Sequence, residues 1–272
     1  MVKQSIRATV MTMLMAWAAS AHALPDLWVS DAAGRLGTVD VATGSVSVVG
    51  SMGVTMTDLA FDPSGNLYGI SFTNLYQINA TNAQTSLVGS LGLTGANALV
   101  FGTDGTLYAA ADNTTDLYSV NTLTGAATSL GSAGFSSAGD LAFNGGNLFL
   151  SSTTDELVKV GLNPVSGTAV GAFGFSVFGL GTELVNGGNG TLYGISGTRI
   201  LTINTTTGAA TALADYGGKG LGESFGAAFF SEAGAGATPP PPPPPGTVPE
   251  PASLLLLGSA LIGMIGLKQY RA

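Results

Sequence analysis

The chain of 272 residues has no cysteine and one histidine, His22. The first absence excludes disulfides, thiolate metal sites and cysteine nucleophiles. His22 lies in an N-terminal segment that reads as removable, so the remaining chain has no imidazole. That argues against zinc sites, Ser-His-Asp triads and imidazole acid–base chemistry. Charge is also scarce, at 9% of residues, and basic charge most of all. Of eight Lys and Arg residues, four (Lys3, Arg7, Lys268, Arg271) sit in the two terminal segments. Between Leu24 and Glu232, Arg35, Lys159, Arg199 and Lys219 stand against fifteen acids, a formal charge of −11. Such a body repels nucleic acid and anionic lipid, and its surface suits cations.

Glycine is abundant. Its 41 copies far exceed the ~7% of ordinary usage, and with many Ser, Thr and Asn they indicate tight turns between short strands. The N-terminus, residues 1–23, has the layout of a secretory signal: basic Lys3 and Arg7, an apolar run from Ala8 to Ala19, and a small-x-small cleavage site at Ala21-His22-Ala23. An uncleaved anchor is the alternative, but the run is short for a span of ~20 residues.

Residues 233–247 are a Gly/Ala-rich stretch leading into seven prolines, Pro239 to Pro245, which form an extended rod with nothing to bury. Residues 248–272 follow. Val248-Pro249-Glu250-Pro251 precedes an apolar stretch, 252–267, and then basic Lys268 and Arg271. Those 16 residues make a helix of roughly 24 Å against a hydrocarbon core of ~30 Å, enough to hold a translocated chain with its basic end in the cytoplasm. Motif, helix and basic end together resemble the PEP-CTERM sorting segments of Gram-negative bacteria. The resemblance implies transient anchoring in the inner membrane and recognition by an exosortase-type membrane protease. Removal near the motif and delivery to the outer surface or the extracellular polymer matrix would follow.

The body, residues 24–232, repeats. Leu-aromatic pairs recur at Leu67-Tyr68, Leu107-Tyr108, Leu148-Phe149 and Leu192-Tyr193, at spacings of 40, 41 and 44 residues. Beginning eight or nine residues before each lies an apolar strand: Asp58–Phe61, Ala98–Phe101, Asp140–Phe143 and Glu183–Val185. Alternating segments such as LYQIN and LYSVN follow, then a turn and a last strand such as Thr85–Gly89. Residues Leu36–Gly50 copy the second half of the unit, and its missing inner strand appears as Gly226–Phe230. Four-stranded units of this period predict an all-β propeller of about five blades, the last closed by strands from both termini. An open solenoid or sandwich is the competing architecture. The pattern is similar to exported bacterial propellers with YVTN-like or quinoprotein-like repeats, a generic likeness that concerns fold.

No catalytic motif is present. In a propeller the first residue of each inner strand lies near the channel mouth, which draws attention to Asp58, Asp140 and Glu183. The loops add Asp112, Asp116 and Asp155. An acidic ring could hold Ca²⁺, a hard cation that takes oxygen ligands, or serve a paired-carboxylate glycan hydrolase or a lyase or lactonase. The alternative is that these acids cap turns and tie blades together. The recurring aromatics are either sugar platforms or packing between blades. No cofactor is required. The leading expectation is a non-catalytic, exported surface or matrix protein that binds or scaffolds, with polysaccharide as partner. A secreted propeller enzyme is the competitor.

Overall fold

The computed structural model describes residues 26–184 and 190–233. The signal segment 1–23, the linker and the membrane helix 252–267 lie outside them. Among the described residues there are five four-stranded antiparallel sheets and no helix.

The first strands, β1 (Asp26–Asp31), β2 (Arg35–Asp40) and β3 (Val46–Ser51), are the outer three of the composite blade. Blade one is β4 (Asp58–Phe61), β5 (Leu67–Ile70), β6 (Asn74–Ile78) and β7 (Thr85–Ser90). Blade two is β8 (Ala96–Phe101), β9 (Leu107–Ala111), β10 (Asp116–Val120) and β11 (Ala127–Ser132). Blade three is β12 (Ser137–Asn144), β13 (Asn147–Ser152), β14 (Glu156–Leu162) and β15 (Val165–Ala172). Blade four is β16 (Gly179–Glu183), β17 (Thr191–Ser196), β18 (Arg199–Ile203) and β19 (Ala210–Asp215). The last strand, β20 (Ser224–Phe229), pairs with β1 in the register Leu27↔Phe229, Trp28↔Ala228, Val29↔Ala227, which closes the ring.

Burial explains the sequence pattern. Inner strands β4 and β8 are buried at every position, so they read as unbroken apolar runs. Outer strands β7 and β11 are largely exposed, so Ser and Thr alternate with small apolar residues. Each inner strand touches the inner strands of both neighbours: β4 with β8, β8 with β12, β12 with β16, β16 with β20, and β20 with β4.

The recurring aromatics pack between blades. Tyr68 lies 5.4 Å from Phe101, Tyr108 5.7 Å from Phe143 and Tyr193 5.1 Å from Phe229, centroid to centroid. Trp28 is the composite blade's member of the set, 5.5 Å from Phe61. Phe149 lacks an aromatic partner because blade four carries Thr182 where the others carry Phe, and it packs on Val177 and Leu180 instead.

The turns between third and fourth strands are built on one device. Asp40, Asn79, Asn121 and Asn204 each accept backbone N–H bonds two residues on, from Ala42, Thr81, Leu123 and Thr206. The Asn-x-Thr triplets that begin at Asn79 and Asn204 are thus accounted for as turn chemistry. These turns dock on the preceding blade's outer strand, where a Cβ on Gly89 would overlap the Thr124 carbonyl. Gly89→Val should therefore lower stability by about 1–3 kcal/mol, a fall of several degrees in Tm, measured by thermal and urea unfolding.

Candidate functional site

Asp58 and Asp140 are fully buried on the propeller axis, not at an open mouth. Asp58 accepts N–H bonds from Leu59 (2.8 Å) of its own blade, Leu99 (2.6 Å) of blade two and Ala227 (3.2 Å) of the composite blade. Asp140 accepts from Leu141 (2.6 Å) and from Leu180 (2.7 Å) of blade four. Each carboxylate therefore fastens neighbouring inner strands together. The two carboxyls also interact, and Asp58 has three backbone donors against two for Asp140, so a shared proton is held more firmly by Asp140. Burial pushes both carboxyls well above the usual range, and their mutual repulsion adds to the shift on Asp140.

Glu232, just after β20, closes the opposite end of the axis. It is buried, its Oε1 has no hydrogen-bond partner, and burial and the nearby Asp58 charge raise its titration well above normal. Asp58 and Asp140 do not fit a Ca²⁺ site: all four of their oxygens are engaged by backbone amides or by the shared proton. Among the described residues no cluster of three His, Cys, Asp or Glu side chains is arranged to hold a metal ion.

Glu183 corrects the expected register. It pairs with Thr191 at the far end of β16, and Gly179, paired with Ile195, occupies the position of Asp58 and Asp140. The expected strand Glu183–Val185 is in fact Gly179–Glu183; Val185 lies outside the described residues. The unit is 44 residues long because its first hairpin loop is longer, so counting back from Leu192 lands at the loop. Asp116 and Asp155 do not reach the axis either. Asp116 accepts a bond from Ser129 Oγ of the outer strand, and Asp155 is a turn residue with φ 57° whose carbonyl accepts from Phe173.

The open cavity at the mouth, about 370 Å³, is built mainly from residues one position earlier. Side chains alternate along a strand, so the neighbours of the axial residues point elsewhere. The five equivalents are Thr57, Asn97, Gly139, Phe178 and Phe225, and all five line this cavity. Phe72 joins from the β5–β6 turn, and Asp112 and Glu223 are its exposed acids. Phe72, Phe178 and Phe225 are 51%, 46% and 42% exposed, large apolar rings gathered at one opening with about half of each left facing solvent. Thr57 is satisfied, donating to the carbonyls of Ala96 (2.8 Å) and Ile70 (3.1 Å). Asn97 is not. Its Nδ2 donates to the Ser137 carbonyl at 3.2 Å, which fixes the amide's orientation, and its buried Oδ1 has no partner.

Of the acids expected at the mouth, only Asp112 is there. Asn97, Phe178 and Phe225 escaped the sequence reading because the five equivalent positions hold four residue types and show no repeat; Phe72 and Glu223 lie in turns outside that register. A larger hollow of about 450 Å³ lies on blade one, lined by Asn66, Gln77, Asn79 and Gln84. Asn66, Asn79 and Gln84 are already bonded within turns, so it offers little recognition chemistry.

Comparison with known proteins bears on the fold and on one terminus. No curated protein matches the sequence. A chain in the crystal structure of a nidogen/laminin complex is similar in fold, with TM-score 0.54 and 12% identity over 75% of this chain and 81% of that one. Two others score lower and carry no argument. One, from work on the de novo evolutionary emergence of a symmetrical protein, has TM-score 0.49 and 17% identity, covering 73% of this chain and 96% of its own. The other, a protein of unknown function from Bacteroides caccae, has 0.45 and 13%, covering 69% and 72%. The family model for the PEP-CTERM protein-sorting motif matches residues 247–271, within a residue of the segment expected from Val248-Pro249-Glu250-Pro251. The chain is thus a five-bladed propeller carrying a PEP-CTERM sorting motif, the signal of an exported protein recognised for exosortase processing.

Proposed function

We propose that this protein is a non-catalytic surface or matrix module whose propeller binds saccharide at the phenylalanine-lined mouth. After export it is held briefly in the inner membrane by residues 252–267, then cut near Val248–Pro251 and delivered to the outer surface or polymer matrix. The observation that carries the binding role is the cluster of exposed Phe72, Phe178 and Phe225 around one cavity. The apolar C–H face of a sugar ring lies well on an aromatic face.

Direction supports the reading. β20 runs from Ser224 at the mouth to Phe229 at the opposite face, where Glu232 and Ala233 are buried and the linker begins. The mouth therefore points away from the tethered end. The enzyme alternative needs accessible paired carboxyls: Asp58 and Asp140 are sealed and occupied by backbone amides, which leaves Asp112 and Glu223 at the mouth as the exposed pair it would have to use.

A glycan array probed with the full chain in detergent tests the proposal. Phe178→Ala should weaken binding about 10- to 100-fold, the cost of removing a central aromatic anchor. An array with no bound glycan, or binding indifferent to Phe178, would sink the proposal. Mass spectrometry of the surface protein tests the sorting step: the expected C-terminus lies near Pro249–Pro251, and an intact Ala272 contradicts processing.

A further inference from the structure

The mouth has three phenylalanines, two exposed carboxylates, one unpartnered buried acceptor and no basic side chain. Arg35, the first residue of β2, is engaged with Asp31 at 2.6 Å. We infer that the mouth selects an amino sugar, a glucosamine-type unit with a free amine, over neutral and uronic-acid saccharides. The inference rests on the saccharide reading above and assigns its ligand class.

Each lining group excludes a competitor. The π faces of Phe72, Phe178 and Phe225 carry negative charge density, which attracts C–H groups and ammonium and repels carboxylate. Asp112 and Glu223 lie at the same opening and add two formal negative charges that nothing in the lining offsets. Asn97 Oδ1 can only accept, and its amide nitrogen is already committed to Ser137. A buried acceptor without a donor is costly, so a ligand N–H or O–H that drew the Asn97 Oδ1 toward the cavity would be favoured and a bare anion would not. A neutral hexose satisfies the rings and Asn97 but leaves both carboxylates unmatched. A hexosamine with its ammonium at Asp112 or Glu223 adds a match to one of them, and an oligomer with successive amines can reach both. The body's −11 charge favours the same ligand at longer range and steers it in.

The test is calorimetric titration of the full chain in detergent, below neutral pH, with three oligomers: β-1,4-linked glucosamine, its fully N-acetylated counterpart and oligo-alginate, plus oligolysine as a charge control. The expected result is glucosamine binding about tenfold tighter than the acetylated oligomer, with no alginate binding and only weak oligolysine binding. Added salt should narrow the difference. Asp112→Asn with Glu223→Gln should erase the preference while acetylated-oligomer binding persists. Both residues are exposed, so the fold is not at stake. Equal affinity for the two glucosamine oligomers overturns the amine selectivity and leaves the saccharide site standing. Oligolysine binding as tight as glucosamine, or glucosamine binding unaffected by Phe178→Ala, overturns a stacked amino-sugar site. No binding of any saccharide overturns both readings.

Discussion

A chain ending at Glu223 is expected not to form the ring at all. Removing β20 leaves the inner edge of β1 unpaired and strips the composite blade of Ala227, Ala228 and Phe229, all buried. Phe229 and Ala227 share a core with Leu27, Val29 and Tyr193 of blade four, and Ala228 shares one with Leu59 and Phe61 of blade one, so both seams open together. Asp58 also loses its bond from Ala227, and its side chain meets water. Fully burying one large apolar side chain is worth roughly 1.5–3 kcal/mol, and several are lost here from a fold whose whole margin is about 5–15 kcal/mol. By size exclusion and near-ultraviolet circular dichroism, residues 24–223 should be aggregated or without fixed tertiary structure, whereas 24–233 should be compact and unfold cooperatively. A stable, cooperative 24–223 fragment would contradict closure by β20.

Asp58→Ala is the second large effect. It leaves the N–H groups of Leu59, Leu99 and Ala227 without an acceptor in the interior. At about 1–3 kcal/mol for each orphaned donor, with partial relaxation, the loss is about 3–5 kcal/mol, or about 6–20 °C in Tm. Asp140→Asn is milder and more informative about pH. Asp58, Asp140 and Glu232 all hold their protons to higher pH folded than unfolded, because burial penalises their charged forms. Their contribution is thus fully present below the unfolded carboxylate value near 4. It is lost as pH rises toward the folded values, by up to about 1.4 kcal/mol per pH unit for each proton. Asp31 works in the other direction. Burial pulls its carboxyl up, but bonds from Gly222 and Arg35 outweigh that and hold it below normal, so its stabilisation is lost on acidification. Wild-type stability should therefore fall steadily above about pH 4–5, with a flatter profile in Asp140→Asn. A wild-type profile that rises toward neutrality would contradict the protonated axial pair.

The architecture was legible because each blade repeats its packing problem. An inner strand buried on all sides, a Leu-aromatic pair on the second strand and an Asx-capped outer turn leave the same residues every 40 or so positions. The split copy at the termini implied closure, since Gly226–Phe230 had no other place to pair. Blade four misled because its extra residues lie in one hairpin loop, and a register read from sequence cannot tell an insertion in a loop from a shift of a strand. Asp58 and Asp140 were located, but not their environment: composition cannot distinguish an acid facing water from one whose oxygens are consumed by neighbouring amides. The mouth was illegible for the opposite reason. Thr57, Asn97, Gly139, Phe178 and Phe225 occupy equivalent places without resembling one another, and symmetry is broken where recognition needs a particular shape.

The central claim is that saccharide is held at the mouth by half-exposed aromatic rings rather than by those packed between blades. Ring-labelled phenylalanine and tyrosine, followed by NMR during titration with the glucosamine oligomer, tests it most directly. Saturable shifts confined to Phe72, Phe178 and Phe225, with Tyr68, Tyr108, Phe149 and Tyr193 unmoved, are the predicted result. Shifts at the interblade aromatics instead, or none at the three mouth rings, would contradict it.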